Sequence, residues 1–139
     1  MGYAVVGAWV VQLLVGVQLL VGWVRHARGA GAGPVVAHTA LMVGYLVPWA
    51  VFVTTGHPVW AWGAVGVLCI GIPFGDVLMM HRSRRIRGER RPGLRDYGAA
   101  IGDVFAGRMP AKVAFHALFG GLVFFGSIAV AIGATAAAA

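Results

Sequence analysis

Acidic residues are scarce: Asp76, Glu89, Asp96 and Asp103 stand against eleven lysines and arginines in 139 residues. Charged residues of both signs make up 11% of the chain, where a soluble domain carries about a quarter. So few charges cannot cover a surface in water. Cysteine is reduced to Cys69, inside an apolar run, which excludes an intrachain disulfide and says nothing of redox compartment. The chain also lacks a phosphate-cradling glycine loop, a nucleophile elbow and a zinc-protease motif, which argues against nucleotide or soluble-hydrolase chemistry. No positive n-region precedes the first apolar run and no persuasive cleavage site follows it, so that run reads as mature structure.

What is present is apolar. Hydrophobic residues make up 60% of the chain and the mean hydropathy is +0.84. A helix needs about 20 apolar residues to cross the hydrocarbon core. Four segments qualify: 3–24, 34–55, 59–80 and 112–135. None alternates with period two, and a closed barrel needs more strands than this length supplies. The expected fold is an all-α integral membrane protein, a single domain over 1–139. Its four transmembrane helices form an antiparallel-type bundle, with a long basic cytoplasmic loop, 81–111, between the third and fourth. Within that loop, Asp96 to Phe105 mixes Tyr97, Ile101, Val104 and Phe105 with two aspartates at helical spacing, as a short interfacial helix does. Pro48 and Pro73 lie inside spans and free the carbonyls near Gly44 and Cys69.

The net charge is +7, and nine of the eleven basic residues fall between Arg82 and Lys112. In a soluble protein this would point to nucleic acid. Beside apolar spans it points to topology and to anionic lipid headgroups, with no nucleic-acid partner. Arg82, Arg84, Arg85, Arg87, Arg90 and Arg91 are the main determinants. Arginines flank the first connection and fill the third, while Thr54-Thr55-Gly56-His57-Pro58 has none. The positive-inside rule then places both basic loops in the cytoplasm and both termini outside. The Ala/Gly/Val/Arg-heavy composition suggests the plasma membrane of a bacterium with a GC-rich genome.

That topology brings distant polar residues to one depth. His38 and His116 each lie four residues past the start of a span entering from the cytoplasmic face, on the order of 6 Å inside it. Asp76 lies four residues before the end of the third span, and His81 is at its boundary. Ionisable groups at such depth are costly and face the bundle interior. Two histidines on parallel helices can hold one haem iron axially where a flat apolar slot lies between them. Gly120, one turn beyond His116, leaves room for a macrocycle edge, and Tyr45 belongs to an apolar and aromatic wall along the His38 face. Loop arginines and Lys112 suit haem propionates.

The His38/His116 pair resembles that of membrane cytochromes b of the b561 kind, in which paired histidines on parallel helices hold haem in a helical bundle. The resemblance is architectural and covers that pair alone. It implies haem b and electron transfer. The chain departs from that pattern in having four spans and no second histidine pair, since His57 stands alone near the outer face. In the leading reading His38 and His116 are axial ligands, while Asp76 and His81 serve a proton path, shape a quinone-sized pocket or form a structural polar pair. Three other readings stand beside it. One is a cofactor-free accessory or anchor subunit packed against other membrane subunits through its glycine faces. Another is a small homo-oligomeric transporter relying on Asp76. The last is a metalloenzyme holding a single transition metal on His38, His116 and Asp76. Gln12 and Gln18, six residues apart, are expected to form interhelical hydrogen bonds.

Overall fold

In hydrocarbon, apolar runs of this length can pair every backbone group within themselves by forming helices. The computed structural model describes residues 2–27, 29, 31–89, 93 and 95–139, and among them there is no strand. Six helices follow in order: α1 (Gly2–His26), α2 (Ala32–Gly44), α3 (Leu46–Thr55), α4 (Pro58–Arg87), α5 (Asp96–Phe105) and α6 (Ala111–Ala138). Four segments, α1, α2 with α3, α4 and α6, are long and apolar enough to cross a membrane.

Two boundaries differ from the sequence expectation. The second segment is interrupted at Tyr45. Pro48 has no N–H to offer the Gly44 carbonyl one turn earlier, so the ladder lapses for a residue. It resumes with Trp49 N–H donating to the Tyr45 carbonyl at 3.3 Å. Pro73 leaves α4 unbroken. The third segment, expected to end at Met80, continues two turns to Arg87, so His81, Arg82, Arg84, Arg85 and Arg87 stand on a helix rather than in a loop. It stops at Gly88, whose φ of 71° is the left-handed conformation that glycine adopts without strain. Arg90 and Arg91 lie outside the described residues. The expected short helix over Asp96–Phe105 is present as α5.

Helix α4 is the hub. It packs against α2, α3, α5 and α6, while α1 packs against α6. In two of these pairs, α2 and α3 against α4 and α1 against α6, residue numbers rise along one side as they fall along the other. His38, Met42 and Pro48 lie beside Gly75, Gly71 and Gly63, while Val5 and Gly16 lie beside Gly126 and His116. Gly71 and Gly75 face inward, and a Cβ on Gly71 would stand 3.0 Å from that of Leu41. Their missing side chains let α2 approach α4 closely, which strengthens dispersion contacts between the two helices.

The main core lies towards the end that carries both termini. Trp9, Tyr45, Trp49 and Phe52 pack there with Ala61, Ala64, Val65, Leu68, Val123 and Ala131. Tyr45 stacks on Trp49 at 5.4 Å and on Trp9 at 6.4 Å. A smaller cluster of Ala100, Val104 and Met109, backed by Met79, Met80, Val113 and Ala114, closes the basic end. The two histidines lie between these clusters along the helices.

Candidate functional site

His38 projects from α2 and His116 from α6. Their rings meet across the interior, with centres 6.2 Å apart and planes at 74°. Each ring rests on the backbone of a neighbouring helix at a glycine. A Cβ on Gly75 would come within 2.8 Å of His38 Cε1, and one on Gly16 within 3.2 Å of His116 Cε1. Glycine at these two places therefore lets the imidazoles lie inside the bundle.

The two rings differ in what holds them. His38 Nδ1 lies 3.0 Å from the Gly71 carbonyl oxygen. A carbonyl only accepts, so Nδ1 carries the proton and Nε2 keeps its lone pair. His116 Nδ1 is buried and has no hydrogen-bond partner. The Gln12 Nε2 amide donates to the backbone carbonyl of His116 at 2.8 Å, and Gln12 Oε1 is likewise buried without a partner. An unpartnered polar atom in this setting costs about 1–3 kcal/mol.

The other residues singled out in the sequence occupy different surroundings. Gly120 makes room for the amide of Gln12, whose Nε2 would lie 2.8 Å from a Cβ there. Tyr45 belongs to the aromatic stack, and its hydroxyl pairs with Ser127 Oγ at 2.9 Å. Asp76 is half-buried and lines a cleft of about 200 Å³ with Met79, Tyr97, Ile101, Val104, Phe105, Ala117 and Leu118. His81 is exposed on α4. Among the described residues no three His, Cys, Asp or Glu side chains come together as a metal-ion group. The interior constellation therefore offers two nitrogen donors.

A second polar layer ties α5 to the last turns of α4. Asp103 is fully buried and accepts from Ser83 Oγ, from Arg87 at 3.2 Å and from Arg108 at 2.6 Å. Asp96 accepts from Arg84 at 2.6 Å and from the Gly93 N–H at 3.0 Å. The Ser83 hydroxyl and then Arg108 hold the Asp103 carboxyl below its ordinary range, against the opposing effect of burial. The Gly93 amide and then Arg84 do the same for Asp96. Arg84 and Arg87 are thus bound to carboxylates rather than free for headgroups. Arg25, Arg82, Arg85, Arg95 and Lys112 are exposed, and no carboxylate pairs with them among the described residues. With its carboxylates turned inward, α5 leaves Tyr97, Ile101 and Phe105 exposed along one stripe.

Sequence reasoning did not join Gln12 and Gly16 to the histidines. The signal was there as a polar residue and a glycine four apart, hence on one face of α1. It also missed Asp96 and Asp103, seven apart on α5, as the counterpart of Arg84 and Arg87.

No family model matches the chain, and neither a curated protein nor a solved structure matches it.

Proposed function

We propose that this chain is a small multi-pass membrane protein that binds one b-type haem between His38 and His116 and takes part in membrane electron transfer. The observation that carries the reading is the 6.2 Å between the centres of two inward-facing imidazoles, one on α2 and one on α6. Metal–nitrogen bonds of about 2 Å would let two imidazoles at this separation share one ion held between them. Zinc and non-haem iron sites use three or more protein donors, whereas a macrocycle supplies its own four and asks the protein for two. A two-histidine set therefore favours haem over a bare metal ion on His38, His116 and Asp76.

When bound, haem supplies one-electron chemistry. The chain's own residues hold and tune it. Gly71 fixes the tautomer of His38, leaving Nε2 to bind. Gly16 and Gly75 admit the two rings. The aromatic cluster of Trp9, Tyr45 and Trp49 keeps water from one side of the histidine layer. Asp76 is the ionisable group nearest in sequence to the Gly75 contact and opens onto the α5 cleft, which suits proton exchange with the interface.

The same reading sets the spans in an antiparallel bundle within a bacterial plasma membrane. Both termini are outside, and the exposed cations Arg25, Arg82, Arg85, Arg95 and Lys112 meet anionic headgroups on the cytoplasmic side. The inward use of Gly71 and Gly75 weakens the accessory-subunit alternative, since that glycine pair is spent within the molecule.

The test is an absorption spectrum of the detergent-purified full chain, expressed with haem precursor, air-oxidised and then dithionite-reduced. A Soret band that shifts on reduction, with sharp α and β bands, is expected. A featureless spectrum from folded protein would sink the reading.

A further inference from the structure

The orphaned atoms of the α1–α6 seam assign a task to Gln12. Its amide orientation is fixed, because Nε2 faces the His116 carbonyl at 2.8 Å and the flipped amide would set oxygen against oxygen. Oε1 is then the end left over, and it is buried without a donor. His116 Nδ1 is buried on the same seam, over Gly16, one turn along the same face of α1. One atom is an acceptor lacking a donor. The other becomes an obligate N–H donor as soon as His116 binds through Nε2. His38 already has the equivalent arrangement, with Nδ1 held by the Gly71 carbonyl. Ligating histidines almost always give their second N–H to an oxygen, which fixes the ring and raises its basicity.

We infer that Gln12 is the positioning residue of the His116 ligand: Oε1 accepts the Nδ1 proton of the bound imidazole, directly or through one water, and so sets the redox potential of the site. The inference rests on the proposed haem reading. It goes beyond that reading by naming the residue that would give His116 the partner that the Gly71 carbonyl gives His38. Gly120 has its reason here, because a side chain at that position would displace the Gln12 amide.

The deciding experiment is a redox titration of the full chain in detergent, followed at the reduced α band, for wild type, Gln12→Met and Gln18→Met. Methionine keeps length and apolar fit while removing the acceptor, and Gln18 is exposed on the same helix. Losing the acceptor makes His116 less electron-rich and disfavours the ferric state about tenfold, an upward shift of roughly 59 mV for one electron. Gln18→Met leaves the potential where it was. A Gln12→Met protein that keeps its haem and its wild-type potential overturns the inference and leaves the haem reading intact. A haem-free wild type overturns both.

Should Gln12→Met fail to fold, the wild type still decides. Gln12 and Gln18 are the only glutamines in the chain, so carbon-13 labelling of the glutamine amide marks two carbonyls. An oxidised-minus-reduced infrared spectrum should show a labelled amide band that moves, and moves equally in Gln18→Met. A flat difference spectrum overturns the inference.

Discussion

Two polar layers lie near the same end of this molecule, and they are finished to different degrees. In the α4–α5 layer each buried carboxylate is saturated: Asp103 has Ser83, Arg87 and Arg108, and Asp96 has Arg84 and the Gly93 amide. In the histidine layer, a few turns deeper, His116 Nδ1 and Gln12 Oε1 are buried with nothing to bind. A chain that satisfies its charges so fully in one layer has no general difficulty placing partners. Unsatisfied buried groups are rare and call for a reason. The contrast marks the first layer as structural, and the proposed haem reading draws on the open atoms of the second.

Experiments that erase one layer while sparing the other put this contrast at risk. The largest effect belongs to His116→Ala. It should abolish the haem spectrum while the helical circular dichroism is unchanged, and a variant with the wild-type spectrum would rule His116 out as a ligand. Next comes Asp103→Ala, which takes the acceptor from Ser83 and Arg108 while Arg87 keeps Glu89 and Asp96. Removing one member of a buried pair is strongly destabilising, so amide exchange across α5 should quicken at least about tenfold while the haem spectrum stays. Equal loss in both readouts would mean that the layers are one cooperative unit.

Gly75→Ala is a smaller intrusion, since its Cβ would meet His38 Cε1 at 2.8 Å. Overpacking of this kind costs about 1–3 kcal/mol. Haem occupancy should fall relative to Gly121→Ala, whose new Cβ meets nothing within 4 Å.

Acid sharpens the comparison from the other side. Asp96 and Asp103 are held below the ordinary 3.8, so they bind protons less readily folded than unfolded. Their contribution is complete above that value and is lost as pH falls below it through their depressed values. Protease sensitivity of α5 should therefore rise below pH 4, and no comparable change is expected between pH 6 and 8. The smallest effect is that of Tyr45→Phe, which removes one neutral hydrogen bond. Ser127 Oγ retains its bond to the Val123 carbonyl at 2.8 Å, so the loss should be about 0.5–1.5 kcal/mol in thermal melting.

Much of the architecture was legible from composition and periodicity. Four apolar runs of membrane length and the helix at Asp96–Phe105 follow from residue types, and the freed carbonyl near Gly44 follows from proline's missing N–H. The end of α4 was not legible. Arginines at a membrane boundary signal topology equally well in a loop or on a helix, and only the docking of α5 through Asp96 and Asp103 decides for the helix. Within the site, depth matching brought His38 and His116 together because rise per residue is a property of the single helix. Rotation about each helix axis is not, so the run of Tyr45, Trp49 and Phe52 along one face was legible while the stacking of Trp9 from α1 on Tyr45 was not.

The sequence by itself determined the class of the protein: too few charges for water, and too many long apolar runs for any backbone arrangement but helices. It also determined which polar residues share a depth, since that needs only local geometry. Tertiary structure alone decided which of them face one another. It set Gln12 beside His116, Gly71 against His38 and the α5 carboxylates on the α4 arginines. The reason is physical: contacts between helices depend on close approach at glycines and on the turn of each helix about its axis, and both arise only when the helices pack together.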